Sequence, residues 1–327
     1  MIFPIQNIFD YLIEIYPDAK FSDNEITIET TEHTIKINVQ SIDETTKDDL
    51  HVVEMVTLNL VVPAIEGLDV DTLNNHAMTC CAQIDVESNS VMFTTRIGIF
   101  ETDSDAAVKL YAPIIAHQAA TLDWHVNLVL HQSRYESNAT ESPVSTWDEP
   151  IPDLQNTLEL AHKRFTDLGL CANMDKDALV CEIPWEDGAY SRGFSSPQMK
   201  SFLLERGMTE DEIIKAGGLT SLLTIMEANN HIYGRGLRCD LIIPLDGEHP
   251  DSWKAGAELL NFIEHTVSDW PPLVGAWHAG DRGITFSSFV PSCFYLPGLA
   301  YNFAIWGMRR AIHVREFVTN ASEHLQN

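Results

Sequence analysis

The sequence predicts an α+β protein of two tandem α-β-β-β-α-β-β-α repeats, each an antiparallel sheet flanked by helices, the second with a helical insertion. Three observations predict it. The chain has 327 residues, about twice the ~150 residues of one domain. Its apolar residues switch repeatedly between the helical period of 3.6 and the strand period of two. The same order of elements then restarts at Leu154, after a stretch with the composition of a linker.

In the first half, Ile5, Ile8, Phe9, Leu12, Ile13 and Tyr16 share one helical face, and Pro17 ends the helix. Two short alternating runs follow, Ile26 with Ile28, then Ile35, Ile37 and Val39, each a half-buried strand. A longer strand covers Val52 to Val62 and stops at Pro63. Asp69 or Asp71 caps the next helix, which carries Leu73, Ala77, Cys80 and Ile84 on one side. Val91 to Phe100 reads as strand, preceded by a turn at Ser88-Asn89, and Asp105 to His131 as a long helix bent at Pro113.

The second half repeats the plan. A helix carries Leu154, Leu158, Ala161, Phe165 and Leu168 and ends at Gly169. Strands follow at Ala178–Ile183, Leu222–Ala228 and Leu237–Pro244, then a helix at Ser252–Ser268, strand material over Leu273–Val290 and a helix at Pro297–Val318. Leu60-Val61-Val62-Pro63 matches Leu241-Ile242-Ile243-Pro244, and Phe93-Thr94-Thr95 matches Phe286-Ser287-Ser288, in the same order in both halves. The expected domains are residues 1–132 and 154–327, joined by a linker at 133–153 that contains Pro143, Pro150 and Pro152. The insertion spans about 187–218: Ser196-Pro197 opens one short helix, and Thr209-Glu210-Asp211-Glu212 is the capping box of another.

The net charge of −28, from 20 basic and 48 acidic residues, argues against binding nucleic acid, where Lys and Arg must displace counterions. It argues equally against an electrostatic hold on anionic membranes. The charge-free stretch Gly283–Met308 is broken by Ser287, Ser288, Pro291 and Pro297, so it reads as a buried strand and helix rather than a membrane span. The N-terminus lacks the basic and apolar regions of a signal peptide. Cys80, Cys81, Cys171, Cys181, Cys239 and Cys293 include no CxxC pair, and the expected setting is cytoplasmic, with reduced and mostly buried thiols.

No motif builds an active site. His117, His125 and His131 share a helix without the i, i+4 spacing of metal-binding pairs, so no metal or cofactor is expected. Gly234-Arg235-Gly236 lies between two strands and reads as a hairpin turn, not a phosphate loop. Cys80-Cys81 is placed mid-helix with no basic neighbour to activate a thiol. His278 and Asp281, in the turn-like segment Trp277–Gly283, keep a hydrolase at the repeat junction open as an alternative, and a structural, self-associating protein is another.

The element order, the matched segments Leu60–Pro63 and Phe93–Thr95 with their repeats, and the acidic balance resemble the type III secretion chaperone-like fold, which includes the bacterial YbjN-like, sensory-transduction-regulator-like families. The resemblance covers nearly the whole chain twice, leaving out the linker and the insertion. It implies a non-enzymatic protein that binds another protein, here as an intramolecular pseudo-dimer of repeats, with monomer and homodimer both open.

The last helix of each half is apolar on nearly all sides, which requires cover beyond its own sheet. Trp124 and Trp306 on these helices, with Phe194, Phe202 and Leu203 of the insertion, are the expected partner-binding residues. Charge divides unevenly, six basic against 25 acidic residues in the first 150 and 14 against 23 in the rest. A basic partner is therefore expected on the first half, where Asp43, Glu44, Asp48 and Asp49 form an acidic loop cluster.

Overall fold

The computed structural model describes residues 9–10, 12–14, 16–29, 33–41, 52–63, 69–77, 79–85, 87–100, 122, 150–175, 177–184, 220–230, 234–244, 250–266, 274–292, 295 and 298–326. It is a mixed helix-and-sheet protein with two six-stranded antiparallel sheets. The first contains β1 (Lys20–Ser22), β2 (Glu25–Glu29), β3 (Thr34–Ser41), β4 (Val52–Pro63), β5 (Cys81–Asp85) and β6 (Ser90–Phe100), in the order β1-β2-β3-β4-β6-β5, with helix α1 (Val70–Ala77) between β4 and β5. Helix α2 (Leu154–Asp167) leads into the second: β7 (Cys171–Asp175), β8 (Ala178–Pro184), β9 (Thr220–Asn230), β10 (Gly234–Pro244), β11 (Ala276–Gly280) and β12 (Gly283–Pro291). Helix α3 (Pro250–Thr266) lies between β10 and β11, and α4 (Leu299–Gln326) follows β12. Read from β7, the second sheet runs β7-β8-β9-β10-β12-β11, the strand order of the first.

The alternation in sequence sets the register. Ile28 pairs with Ile35, Ile35 with Leu60, Leu60 with Phe93 and Phe93 with Ala82, a buried apolar row across five strands. In the second sheet Cys181 pairs with Leu223, Leu223 with Leu241 and Leu241 with Phe286, again buried. Such rows fix register, because a slip of one residue turns every apolar side chain to the other face. The opposite faces match too: Thr94 donates to Asn59 at 2.8 Å and Ser287 to Asp240 at 2.7 Å, each pair directly opposed on adjacent strands.

The chain forms two compact units, Met1–Ser145 with Ala255–His278, and Thr146–Lys254 with Ala279–Asn327. The first therefore takes in most of α3. In the second, α2 buries Leu154, Leu158, Ala161 and Phe165, and α4 lies over β9 and β10. There Gly307 meets Leu223, and the Arg310 guanidinium sits 3.7 Å above the Phe286 ring. That stacking supports a cation buried to 2% exposure.

Several expectations change. The helix read through Cys80 and Ile84 stops at Ala77, and Cys81–Asp85 is strand. Leu73 and Cys80 are both buried, one in the short helix and one at the bend before the strand, so this part of the spacing arises without a continuous helix. Cys80-Cys81 is therefore at a bend and strand start rather than mid-helix. Each sheet has four strands before its α1 or α3 equivalent, not three. The added β1 is three exposed residues and β7 has no buried one, so neither carries an alternating burial signal. The strand material at Leu273–Val290 divides at a turn over Asp281-Arg282, after which Gly283 adopts φ 140°. Trp277 and His278 lie in β11, not in that turn. All nine residues of β12 are buried, as its lack of charge requires. Among the described residues no helix is long and apolar enough to cross a membrane.

Candidate functional site

The site belongs to the first unit and is built by α1, β5 and α3. Helix α1 starts where Asp69 caps it: its carboxylate accepts from the Asp71 N–H at 3.1 Å and from the Thr72 hydroxyl at 3.0 Å. One turn on, the side chain of Asn74 reaches Ala82 of β5. Its Nδ2 donates to the Ala82 carbonyl at 3.1 Å, and its Oδ1 accepts from the Ala82 N–H at 2.7 Å. Helix α3 does the same at β11, where Asn261 donates to the Trp277 carbonyl and accepts from the Trp277 N–H, both at 2.9 Å. Both asparagines are 1% exposed. Each satisfies two backbone groups that burial would otherwise leave costly.

The end of α3 is fastened by charge. Arg96 of β6 donates to the His265 carbonyl at 2.8 Å, placing a cation at the negative end of the helix. The Trp277 indole N–H donates to Glu264 at 2.6 Å, so that buried carboxylate has a hydrogen-bond donor. Burial, and then Arg96, lowers the His265 pKa to about 4, so its ring is neutral near pH 7. Burial raises the Cys80 thiol to about 12, and Cys81 is raised by burial, by Cys80 and by Glu264. Neither is a thiolate nucleophile.

Between these elements opens a cleft of about 320 Å³. Asn74 and Asn261 line it, together with Ala82 and Gln83. Val70, Ile84 and Phe262 supply its larger apolar surface, and Glu258 is the one charged residue among the described residues lining it. Ile84 is 50% exposed and Phe262 59%. Leu160 at 61% and Val61 at 52% are comparably exposed; Ile84 and Phe262 differ in lining one concavity together. Beyond Ile84, Asp85 accepts from the Ser88 hydroxyl at 2.6 Å and from the Glu87 N–H at 3.0 Å. Bonds from the Ser88 side chain and backbone hold its carboxyl below the usual range. Among the described residues the cleft thus offers apolar contact and one negative charge.

Of the residues expected from sequence, Trp306 is 7% exposed in the second unit, its ring 5.3 Å from Phe303. It is core packing in α4. Trp124, Phe194, Phe202, Leu203, Asp43, Glu44, Asp48 and Asp49 lie outside the described residues. His278 is 5% exposed in β11, whereas Asp281 is exposed in the turn that follows. Among the described residues no group of three or more His, Cys, Asp or Glu is placed to hold a metal. Asn74, Ile84, Glu258, Asn261 and Phe262 were not singled out by sequence as site residues, Ile84 being read only as part of a helix face. The available signal was the step Leu73-Asn74 and Leu260-Asn261, a polar amide beside a buried leucine in two helices that each precede an edge strand.

No family model, curated protein or solved structure matches the chain.

Proposed function

We propose that the chain is a non-enzymatic, chaperone-like or regulatory protein-binding module, made of two tandem copies of one α+β unit. It holds an apolar, basic segment of a partner protein in the cleft that α1, β5 and α3 build. Duplication is supported by the shared strand order. It is supported also by residue pairs at equivalent places: Asn59 with Thr94 and Asp240 with Ser287, Leu60 with Phe93 and Leu241 with Phe286. The two asparagine bridges add a third correspondence. Binding rests on one observation, the exposure of Ile84 and Phe262 at a cleft whose charged lining residue is Glu258. An apolar side chain of the partner fills the cleft, and a neighbouring Lys or Arg meets Glu258 in the field of an acidic protein.

Cross-linking mass spectrometry on partners recovered by pull-down tests the reading. Cross-links are expected at and around the cleft, with partner affinity reduced about tenfold or more by Ile84→Asp or Phe262→Asp, since each removes half or more of an apolar side chain's contact. Affinity unchanged in both folded variants would remove the cleft from the proposal.

A further inference from the structure

We propose that Asn74 and Asn261 are edge latches, which close the outer edges of β5 and β11 against pairing with a strand from a second copy of this chain. Both strands are terminal in their sheets. In an antiparallel pair, successive residues turn their N–H and C=O alternately toward the partner strand and away from it. Ala82 gives both groups to Asn74, so they point away from β6, into the place an added strand would occupy. One side-chain amide presents a donor and an acceptor side by side, as the backbone of an added strand does.

The rest of β5 shows why a latch is needed. Edges are usually protected by Lys, Pro, an inward charge or a bulge. Cys81-Ala82-Gln83-Ile84-Asp85 has no charge before its last residue and no Pro, and its register with β6 is unbroken. With Ile84 half exposed within it, the strand is mostly uncharged and carries no bulge, features of an edge that pairs with itself once opened. At β7, the opposite edge of the second sheet, a helix side chain again reaches an edge backbone: His162 Nε2 of α2 lies 3.2 Å from the Ala172 carbonyl. The first sheet's other edge, β1, has three exposed residues and begins with Lys20.

The test compares the full-length protein with Asn74→Ala by amide hydrogen exchange and by analytical ultracentrifugation over a concentration series. Exchange at Ala82 is expected to accelerate roughly tenfold or more, the loss of one buried hydrogen bond. The variant's average mass is expected to rise with concentration beyond that of the unchanged protein. Adding Ile84→Lys to Asn74→Ala should return the mass to the unchanged protein's value, because a lysine blocks an edge without restoring the latch. If Asn74→Ala does not fold, Asn74→Leu, which keeps side-chain bulk without the amide, carries the same comparison. A folded variant with unchanged mass at every concentration overturns the proposal, as does association that Ile84→Lys leaves in place.

Discussion

A buried asparagine is tolerable only when its amide finds partners, and Asn74 and Asn261 find them in the same way, on the backbone of the strand that follows their helix. His265 is in a different position, because burial, and then the nearby Arg96, disfavours its charged form. Its folded pKa of about 4 lies below the ordinary 6.5. Between those values the unfolded chain binds the extra proton, so stability falls as pH drops through that window and is complete above it. The full difference is about 3 kcal/mol. Denaturant titrations at pH 7 and pH 4.5 are expected to show this acid loss reduced in His265→Gln, which keeps the backbone carbonyl that Arg96 caps. An identical loss in the variant would assign the acid sensitivity elsewhere. At this scale the sequence offered only the two Leu-Asn steps as a clue, since nothing in a linear pattern shows that one amide meets both polar groups of a distant backbone residue.

Among elements, the close contacts of two glycines separate strand pairing from helix packing. A Cβ at Gly236 would meet the Val290 carbonyl and lie 2.6 Å from the Phe289 ring, forcing β10 and β12 apart. At Gly307 it would meet Leu223 Cδ1 at 2.5 Å, the far end of a flexible side chain. Gly236→Ala is therefore expected to cost about 3 kcal/mol and Gly307→Ala about 1, because leucine can shift and helix propensity partly offsets the contact. Thermal melts of the two variants check the ranking, and equal losses would contradict it. The long strands β4, β9, β10 and β12 and helices α2, α3 and α4 were legible because their apolar periodicity runs through most of each element. The exposed β1, the weakly buried β7 and the five-residue β5 were not. Their strand state comes from hydrogen bonds to a neighbour, which local composition does not encode.

For the molecule as a whole, the charge of −28 bears on association more than on the fold. If the acidic balance recruits a basic partner, neutralising Asp43, Glu44, Asp48 and Asp49 together is expected to weaken binding several-fold at low salt. The difference should shrink near 0.5 M salt, as screening shortens to a few ångströms. Equal affinities of the two proteins at low salt would limit the charge to a role in solubility. The sequence by itself determined the mixed helix-and-sheet class, the register-setting apolar rows and the acidic field, because composition and periodicity are local properties that burial then obeys. Only the tertiary structure decided that most of α3 joins the first unit, that Trp306 is interior, and that Ile84 and Phe262 line one cleft. Those outcomes depend on which surfaces meet: Ile84 and Phe262 lie 178 positions apart in the chain, and no spacing within either segment specifies their encounter.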